Sequence, residues 1–524
     1  MPRSLIVVPL GSLTPHQVRS AVGSNDFDVL DRSELRRRPV DVLWRLARRR
    51  YERAVLVAPD LRAPRLRLTS LLLALPRARC RVRTDTAGHS QRWAFGAHVQ
   101  GNALALVRHG LACGLAALLA EPLLALLEAG IRPRTRPMAT PGRLLYLRSQ
   151  WWLGLEGGGS VAHTAGVIGG LEEAGVQVQV VSSDSLAGVH APTRVVAPEV
   201  WFDGAARELE ELAYNVPFLL AAWRSPADVL YQRHTTFNVA GAVLSRLRRR
   251  PLVLEFNSSE VWKGRYWGGL RRERLAQRVE RINLRAADHV VVVSEPLRAS
   301  LVDMGVPRHK ILVNPNGVDP RVFRPDVDAR HVRSRWDLEG AVVIGFSGTF
   351  GVWHGIPTLA AVLQRVLDQR PSVRWLLIGD GPLRGVIDAA AGADPRVARP
   401  GLVPHHQMPS YLAACDVLVS PHGRQADGGE FFGSPTKLFE YMAAGRAIVA
   451  SRVGQISQVL EHERSALLVP PDDPDALGAA LLRLVDHAEL RQRLASNARA
   501  DAIERHTWRQ NAQRVLDVLD NARP

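Results

Sequence analysis

What most limits the fold of this chain is a series of short, nearly unbroken apolar segments that do not alternate with polar residues. They fall into two groups, 144–147, 176–181, 229–231, 252–256 and 289–293, then 342–346, 374–378, 417–420, 447–450 and 466–469. A strand with one wet face reads polar at every second residue. These do not, so both faces are covered, as in a parallel sheet lying between helices. Parallel strands need crossovers, and helix-length stretches stand between them at 161–174 and at 357–369, 407–414, 435–444, 473–486 and 488–504. The expected class is α/β, with two doubly wound domains in tandem and a ligand at the carboxyl ends of their strands.

Residues 1–140 form a separate segment. Strands are expected at 4–10, 26–30 and 54–58 and helices at 15–22 and 40–49, which makes a small α/β extension. The run 111–127, LACGLAALLAEPLLALL, is apolar apart from Glu121 and Pro122. At 17 residues it falls short of the roughly 20 needed to span a bilayer. Two readings stay open, a buried helix pair and a membrane-dipping or interfacial segment. A Pro-, Arg- and Gly-rich linker follows at 132–142.

At 524 residues the chain is too long for one core, and about 150 residues per domain suggests three or four units. Its 46% hydrophobic and 23% charged residues exclude wholesale disorder and a polytopic membrane protein. The formal charge of +17 is uneven: residues 1–140 carry 23 basic and 10 acidic side chains, while 141–524 carry 45 and 41. Nucleic acid is not the expected partner, because no binding signature accompanies the charge. An anionic membrane surface is expected instead. Cys80, Cys113 and Cys415 show no zinc or disulfide spacing, which fits a reducing compartment. The apolar start is too short for a signal peptide and reads as a first strand.

The chemistry-bearing stretch is 430–450, EFFGSPTKLFEYMAAGRAIVA. A Gly-Ser-Pro turn opens a helix, with Ser434 as its cap and Pro435 in its first turn. Amides from Gly433 through Ser434, Pro435 and Thr436 to Lys437 then border an anion site. Lys437 is one of only three lysines, and a cation in a first turn makes sense where an anion is shared with those amides. Glu440, three residues on, suits a ribose diol; alternatively the two form an i,i+3 surface pair. In 345–355, GFSGTFGVWHG, the glycines let backbone approach a ligand, with Gly348, Thr349 and His354 facing a diphosphate. Trp353 is expected to pack rather than stack, and Gly379 and Gly381 in WLLIGDGP to be structural.

Taken in order, GGGSVAHTAG, DVLYQRH, PLVLEFNSSE, AADHVVVVSE, NPNGVDPRVFRP, GFSGTFGVWHG, LLIGDGP, GLVPHHQMPSYLAACDVLVSP and the 433–450 block resemble a GT-B fold glycosyltransferase of the GT4 type, over residues 143–524. The FFGSPTKLFEYMAAG form resembles one subset of that family. The resemblance implies an acceptor domain at 143–325 completed by a terminal helix at 506–522, and a donor domain at 326–505. It implies that Glu440 holds the donor ribose and that the backbone at Val403 reads the base. It places Gly158, Gly159 and Ser160 near the acceptor or phosphate, His163 near the acceptor, and Arg233 and His234 at the donor sugar; Glu255 and Asn257 end the next strand. The family's usual Arg and Lys after the first donor-domain strand are here Thr349 and His354. Phosphate neutralisation therefore falls to Lys437 and helix amides, and Lys437, His354, His163 and Arg233 are the catalytic candidates.

The function implied is a retaining transfer from a nucleotide-diphosphate sugar, expected to be UDP-linked, to a glycan or polyprenyl-linked acceptor in bacterial surface polysaccharide synthesis. Neither cofactor nor metal is expected. The enzyme would be cytoplasmic and peripheral on the inner face of the plasma membrane. The alternative is a non-catalytic sugar-nucleotide-binding or scaffold subunit of the same machinery.

Overall fold

The computed structural model describes residues 4–8, 27–31, 39–58, 70–85, 89–131, 141–151, 159–202 and 204–521. The helix expected at 15–22, most of the linker at 132–142, and Gly158 lie outside them. The chain divides into two compact units, one of 1–123 with 198–214 and 269–272, the other of 124–197, 215–268 and 273–524.

The first unit is built on a five-stranded sheet ordered β2-β1-β3-β4-β5. Its strands are β1 (Ser4–Val8), β2 (Phe27–Asp31), β3 (Arg50–Ala58), β4 (Arg77–Asp85) and β5 (Ser90–Arg92), of which only β5 runs antiparallel to its neighbour. Helix α1 (Pro39–Arg48) contributes Val42 to a small core with Tyr51, Leu56, Leu73 and Trp93. Helix α2 (Phe95–Gly130) corrects an expectation: the apolar run 111–127 is no buried helix pair but part of one 36-residue helix with Pro122 inside it. Only 11% of its most apolar window is buried.

The second unit holds two parallel sheets. The first is ordered β12-β11-β10-β9-β6-β7-β8, from β6 (Arg143–Arg148), β7 (Gln177–Ser182), β8 (Thr193–Val195), β9 (Val229–Arg233), β10 (Leu252–Glu255), β11 (His289–Val292) and β12 (Ile311–Val313). The helices that matter here are α3 (Gly159–Glu173), α4 (Asn215–Trp223), α5 (Glu260–Tyr266) and α6 (Glu273–Ala286). The second sheet is ordered β15-β14-β13-β16-β17-β18, from β13 (Val342–Ser347), β14 (Val373–Ile378), β15 (Val397–Gly401), β16 (Val417–Ser420), β17 (Ala447–Ser451) and β18 (Leu467–Val469), with α7 (Thr436–Ala443) among its helices. In both sheets the strand order reverses beside the first strand, between β6 and β9 and between β13 and β16. Ligands of doubly wound sheets bind at such reversals.

Three edge strands, β8, β12 and β15, have no counterpart in the sequence reading. Each is short or interrupted: β8 is fully exposed, and β15 reads Val-Ala-Arg-Pro-Gly. The central strands behave as the apolar runs require. β10 and β16 are buried throughout, and Phe346, Trp375 and Leu377 pack with Leu359 and Leu363 of the helix Ile356–Gln369.

After the second sheet the chain returns to the first. Helix α8 (Trp508–Asn521) puts Ala512, Val515, Leu516 and Leu519 into the core shared by β6, β7 and α3. The approach is close because α3 carries glycine at 166 and 170. A methyl at Gly166 would strike the Trp508 indole, and one at Gly170 its carbonyl oxygen.

Candidate active site

The two switch points bring two groups of polar residues together inside the second unit. On the second sheet, β13 ends at Ser347, whose N–H donates 2.8 Å to the Tyr441 hydroxyl of α7. The next residue turns sharply: Gly348 has φ 145°, a conformation side chains rarely adopt. A Cβ on Gly348 would come within 3.0 Å of Lys437 Nζ and 3.4 Å of His354 Cε1. Glycine is thus what leaves room between the turn and these two bases.

Lys437 is buried at 6% exposure, and its Nζ has no hydrogen-bond partner among the described residues. It lies 4.1 Å from the centre of the Phe346 ring, a cation–π contact that offsets part of its desolvation. Burial pushes its pKa far below the usual lysine range, with the Glu440 carboxylate pulling weakly the other way. Both residues are buried and no ion pair joins them, so the i,i+3 surface pair is corrected. The lysine was made to receive charge from elsewhere.

Two histidines border this amine. His354 Nδ1 is bonded to the Thr349 carbonyl and lies 3.4 Å from the Thr349 hydroxyl. The two residues read as diphosphate ligands therefore touch each other. His422, unremarked in the sequence, is fully buried, with Nδ1 3.1 Å from Ser420 Oγ and Nε2 without a partner among the described residues. Its ring centroid is 5.2 Å from that of His354. Burial and the nearby Lys437 hold both imidazoles well below the ordinary histidine range. Three basic side chains thus converge, with Glu440 the one carboxylate acting on Lys437.

Glu440 lies one turn beyond Lys437. His405 Nε2 approaches its Oε1 to 3.5 Å, and that contact raises the His405 pKa. Val403, two residues earlier, packs partly buried against the sheet core.

The start of α7 differs from expectation. Pro435, not Ser434, occupies the cap position, and no side chain caps the helix. Ser434 is engaged elsewhere: its Oγ accepts the Asn316 N–H at 3.1 Å, and its carbonyl accepts Asn316 Nδ2 at 2.6 Å. A neighbouring carbonyl, that of Phe432, accepts from Ser294 Oγ at 2.5 Å. The loop through Gly433 is thereby tied to the first-sheet domain. The first amides of α7 keep no side-chain acceptor. Gly159, first residue of α3, faces Thr436; a Cβ there would meet Thr436 Oγ1 at 2.9 Å. Two helix N-termini therefore meet beside Lys437, and their amide dipoles sum to a positive field.

On the first-sheet side the polar groups gather around one carboxylate. Glu255, at the end of β10, is 1% exposed. Its Oε1 accepts from Arg233 Nη1 at 2.8 Å and Asn257 Nδ2 at 2.6 Å, and its Oε2 from the Tyr146 hydroxyl at 3.2 Å. His163 Nε2 lies 2.8 Å from the same Oε1, and its Nδ1 2.5 Å from Asn316 Oδ1. The His163 ring thus bridges Glu255 and Asn316. Burial alone would raise the Glu255 pKa; the His163 and Arg233 charges overcome it and hold the carboxyl well below the usual range. Arg233 Nη2 reaches Ser160 Oγ at 3.3 Å. His234 is separated from this group, its ring stacked on Phe256 at 4.7 Å and its Nδ1 beside Asn283.

The site thus consists of a network around one carboxylate on one sheet and a cluster of buried basic nitrogens on the other, with facing helix ends between. Two doubly wound sheets in one chain are the architecture of the GT-B class of glycosyltransferases. Residues 157–322 match glycosyltransferase family 4 and residues 341–487 match glycosyl transferases group 1, so both halves of such an enzyme are present. The fold is that of GT-B glycosyltransferases, and these matches support an enzyme rather than a non-catalytic subunit. It is 24% identical to an uncharacterized glycosyltransferase of Methanocaldococcus jannaschii over 56% of this chain and 74% of that one. It is 29% identical to the amylovoran biosynthesis glycosyltransferase AmsK of Erwinia amylovora over 51% of this chain and 64% of that one. Among solved structures, Anabaena HepE in complex with UDP and glucose superposes with a TM-score of 0.56 at 19% identity, over 72% of this chain and 98% of that one. The chain spans about half to three quarters of the length of its first curated relatives.

Two measurements follow from this electrostatic division. Glu255→Gln removes the one negative charge facing Arg233 and His163; urea unfolding is expected to show a loss of about 3 kcal/mol, the usual result of breaking a buried pair from one side. On the donor side, an anion that pairs with Lys437 raises a pKa that burial had lowered, so the complex holds more protons than the free enzyme between the two values. Calorimetry of nucleoside diphosphate binding in buffers of different ionisation enthalpy is expected to show proton uptake at pH values between the lowered pKa of the free lysine and the ordinary lysine range. Lys437→Met is expected to abolish that uptake.

Proposed function

We propose that this glycosyltransferase moves a sugar from a nucleotide-diphosphate donor, UDP-linked, to a glycan or lipid-linked acceptor in surface polysaccharide synthesis, with retention at the anomeric carbon. The observation that carries the reading is the unpartnered Lys437 amine beside two facing helix N-termini. A diphosphate supplies the negative charge this pocket lacks, and Glu440 one turn on offers a carboxylate to the ribose diol. The UDP bound to HepE and the role of AmsK in amylovoran biosynthesis support the donor and the pathway class. The FGSPTK form around Lys437 supports membership of the subset that carries it. The unpaired cysteines favour the cytoplasmic side.

In this mechanism the bond between the anomeric carbon and the diphosphate oxygen breaks, and its electron pair passes to that oxygen. Lys437 and the amides of α7 stabilise the charge that develops there. The sugar gains oxocarbenium character, and the acceptor hydroxyl attacks from the face the phosphate leaves. Its proton passes to the departing phosphate oxygen, the nearest base on that face. Arg233 and His163, fixed by Glu255, line the acceptor side and orient the reactants. Stabilisation comes from fixed charges and dipoles, so the reaction needs no bound metal.

Lys437→Ala is expected to lower kcat by about 3 kcal/mol, roughly a hundredfold, whereas Glu440→Ala acts mainly through KM for the nucleotide sugar. Steady-state kinetics on a panel of UDP-sugars separates the two. Full turnover by Lys437→Ala overturns the assignment. EDTA is expected to leave the wild-type rate unchanged, and a loss restored by magnesium overturns metal independence.

A further inference from the structure

We propose that helix α2 lies flat in the surface of an anionic bilayer and seats the enzyme there, an inference that does not depend on the donor chemistry. At 36 residues the helix is about 54 Å long, and its most apolar 18-residue window has a mean hydropathy of 2.0. Its burial nevertheless follows a helical period. His109, Cys113, Leu124 and Glu128 lie on a covered stripe, while Leu104, Val107, Leu111, Leu115, Leu118 and Leu126 form a bare one on the opposite side. Exposures of 84% at Leu104, 75% at Leu118 and 71% at Leu126 exceed what a soluble surface helix leaves to water in a continuous row.

Charged residues along the helix decide between crossing the bilayer and lying on it. Within the first unit, Arg108 and His109 pair with Glu199 at 3.2 and 3.0 Å, His109 also approaches Glu210 at 3.5 Å, and Cys113 faces the Ala206 carbonyl. Within the second, Glu128 is shared by Arg278, Arg281 and Arg285 at 3.4, 3.1 and 3.3 Å. Between them Glu121 stands exposed on the flank between the two stripes. A spanning helix would carry that charge into the hydrocarbon. A flat helix holds it at the headgroup level and turns the leucine row into the acyl layer.

Charge selects the lipid. Residues 1–140 carry 23 basic against 10 acidic side chains, and Arg49, Arg50, Arg77, Arg79 and Arg92 are exposed among them.

The test is flotation of the full chain with phosphatidylcholine vesicles, with and without phosphatidylglycerol, set against a variant carrying Leu111→Ser, Leu115→Ser and Leu118→Ser. Wild type is expected to float with the anionic vesicles and to be released by alkaline carbonate, and the variant to lose more than about tenfold in vesicle affinity. Melting curves with and without UDP show whether the variant is folded. Single Leu118→Ser and Leu126→Ser variants, each expected to lose part of the affinity, keep the test decisive if the triple one is not. Retention through carbonate overturns the flat orientation, and equal flotation on both vesicles overturns the anionic preference. Wild-type flotation by a folded variant overturns the proposal, as does a wild-type dimer that the substitutions convert to a monomer.

Discussion

Everything at the cleft is referred to one carboxylate that water does not reach. Glu255 holds Arg233, Asn257, Tyr146 and His163 at hydrogen-bond distance, and through His163 the order passes to Asn316 and on to Ser434, the residue ahead of the donor helix. A buried network of this kind is costly to break, and its last links, from Asn316 to Ser434, fix the register of α7 against the first sheet. The position of Lys437 is in this sense set by a residue on the other side of the cleft.

The two halves of the site store electrostatic energy differently. On the first sheet, positive and negative groups cancel, and the geometry is stiff. On the second, the Lys437 amine and the His422 Nε2 are buried without partners, so part of the folding energy is held as unmet solvation. In the proposed reaction a diphosphate would release that energy on binding, most of all when a further charge appears on its leaving oxygen. Destabilisation of the empty pocket and stabilisation of a charged ligand are the same quantity with opposite signs.

The architecture was legible where burial is two-sided, because only such strands lose polar alternation. The central strands therefore stood out, while β8, β12 and β15, wet at the sheet edges, left no pattern to read. Lys437 was legible for a different reason: a cation in the first turn of a helix contradicts the local dipole, and such contradictions collect at functional sites. Glu255, Asn316 and His422 were not, because their roles come from contacts 92 and 153 residues away in sequence or from a burial no local spacing reveals. Ser434 was misread for the opposite reason. A serine before a helix is a good cap, but Asn316 offered it two bonds from another domain. The extent of α2 was hidden by Glu121 and Pro122, which look like a break and are absorbed by a helix that starts much earlier.

The close fit of α8 on α3 carries one more implication. With glycine at 166 and 170, the Trp508 indole and backbone rest directly on α3, which joins α8 closely to the first sheet. The chain passes between the sheet domains twice, near Val318 and near Thr507, and there the two strands are stitched together: Val318 N–H to the His506 carbonyl at 2.9 Å and Trp508 N–H to the Val318 carbonyl at 3.3 Å. Both crossings share a single seam. Any opening of the cleft swings about that seam like a book about its spine, with the Lys437 pocket on one page and the Glu255 network on the other.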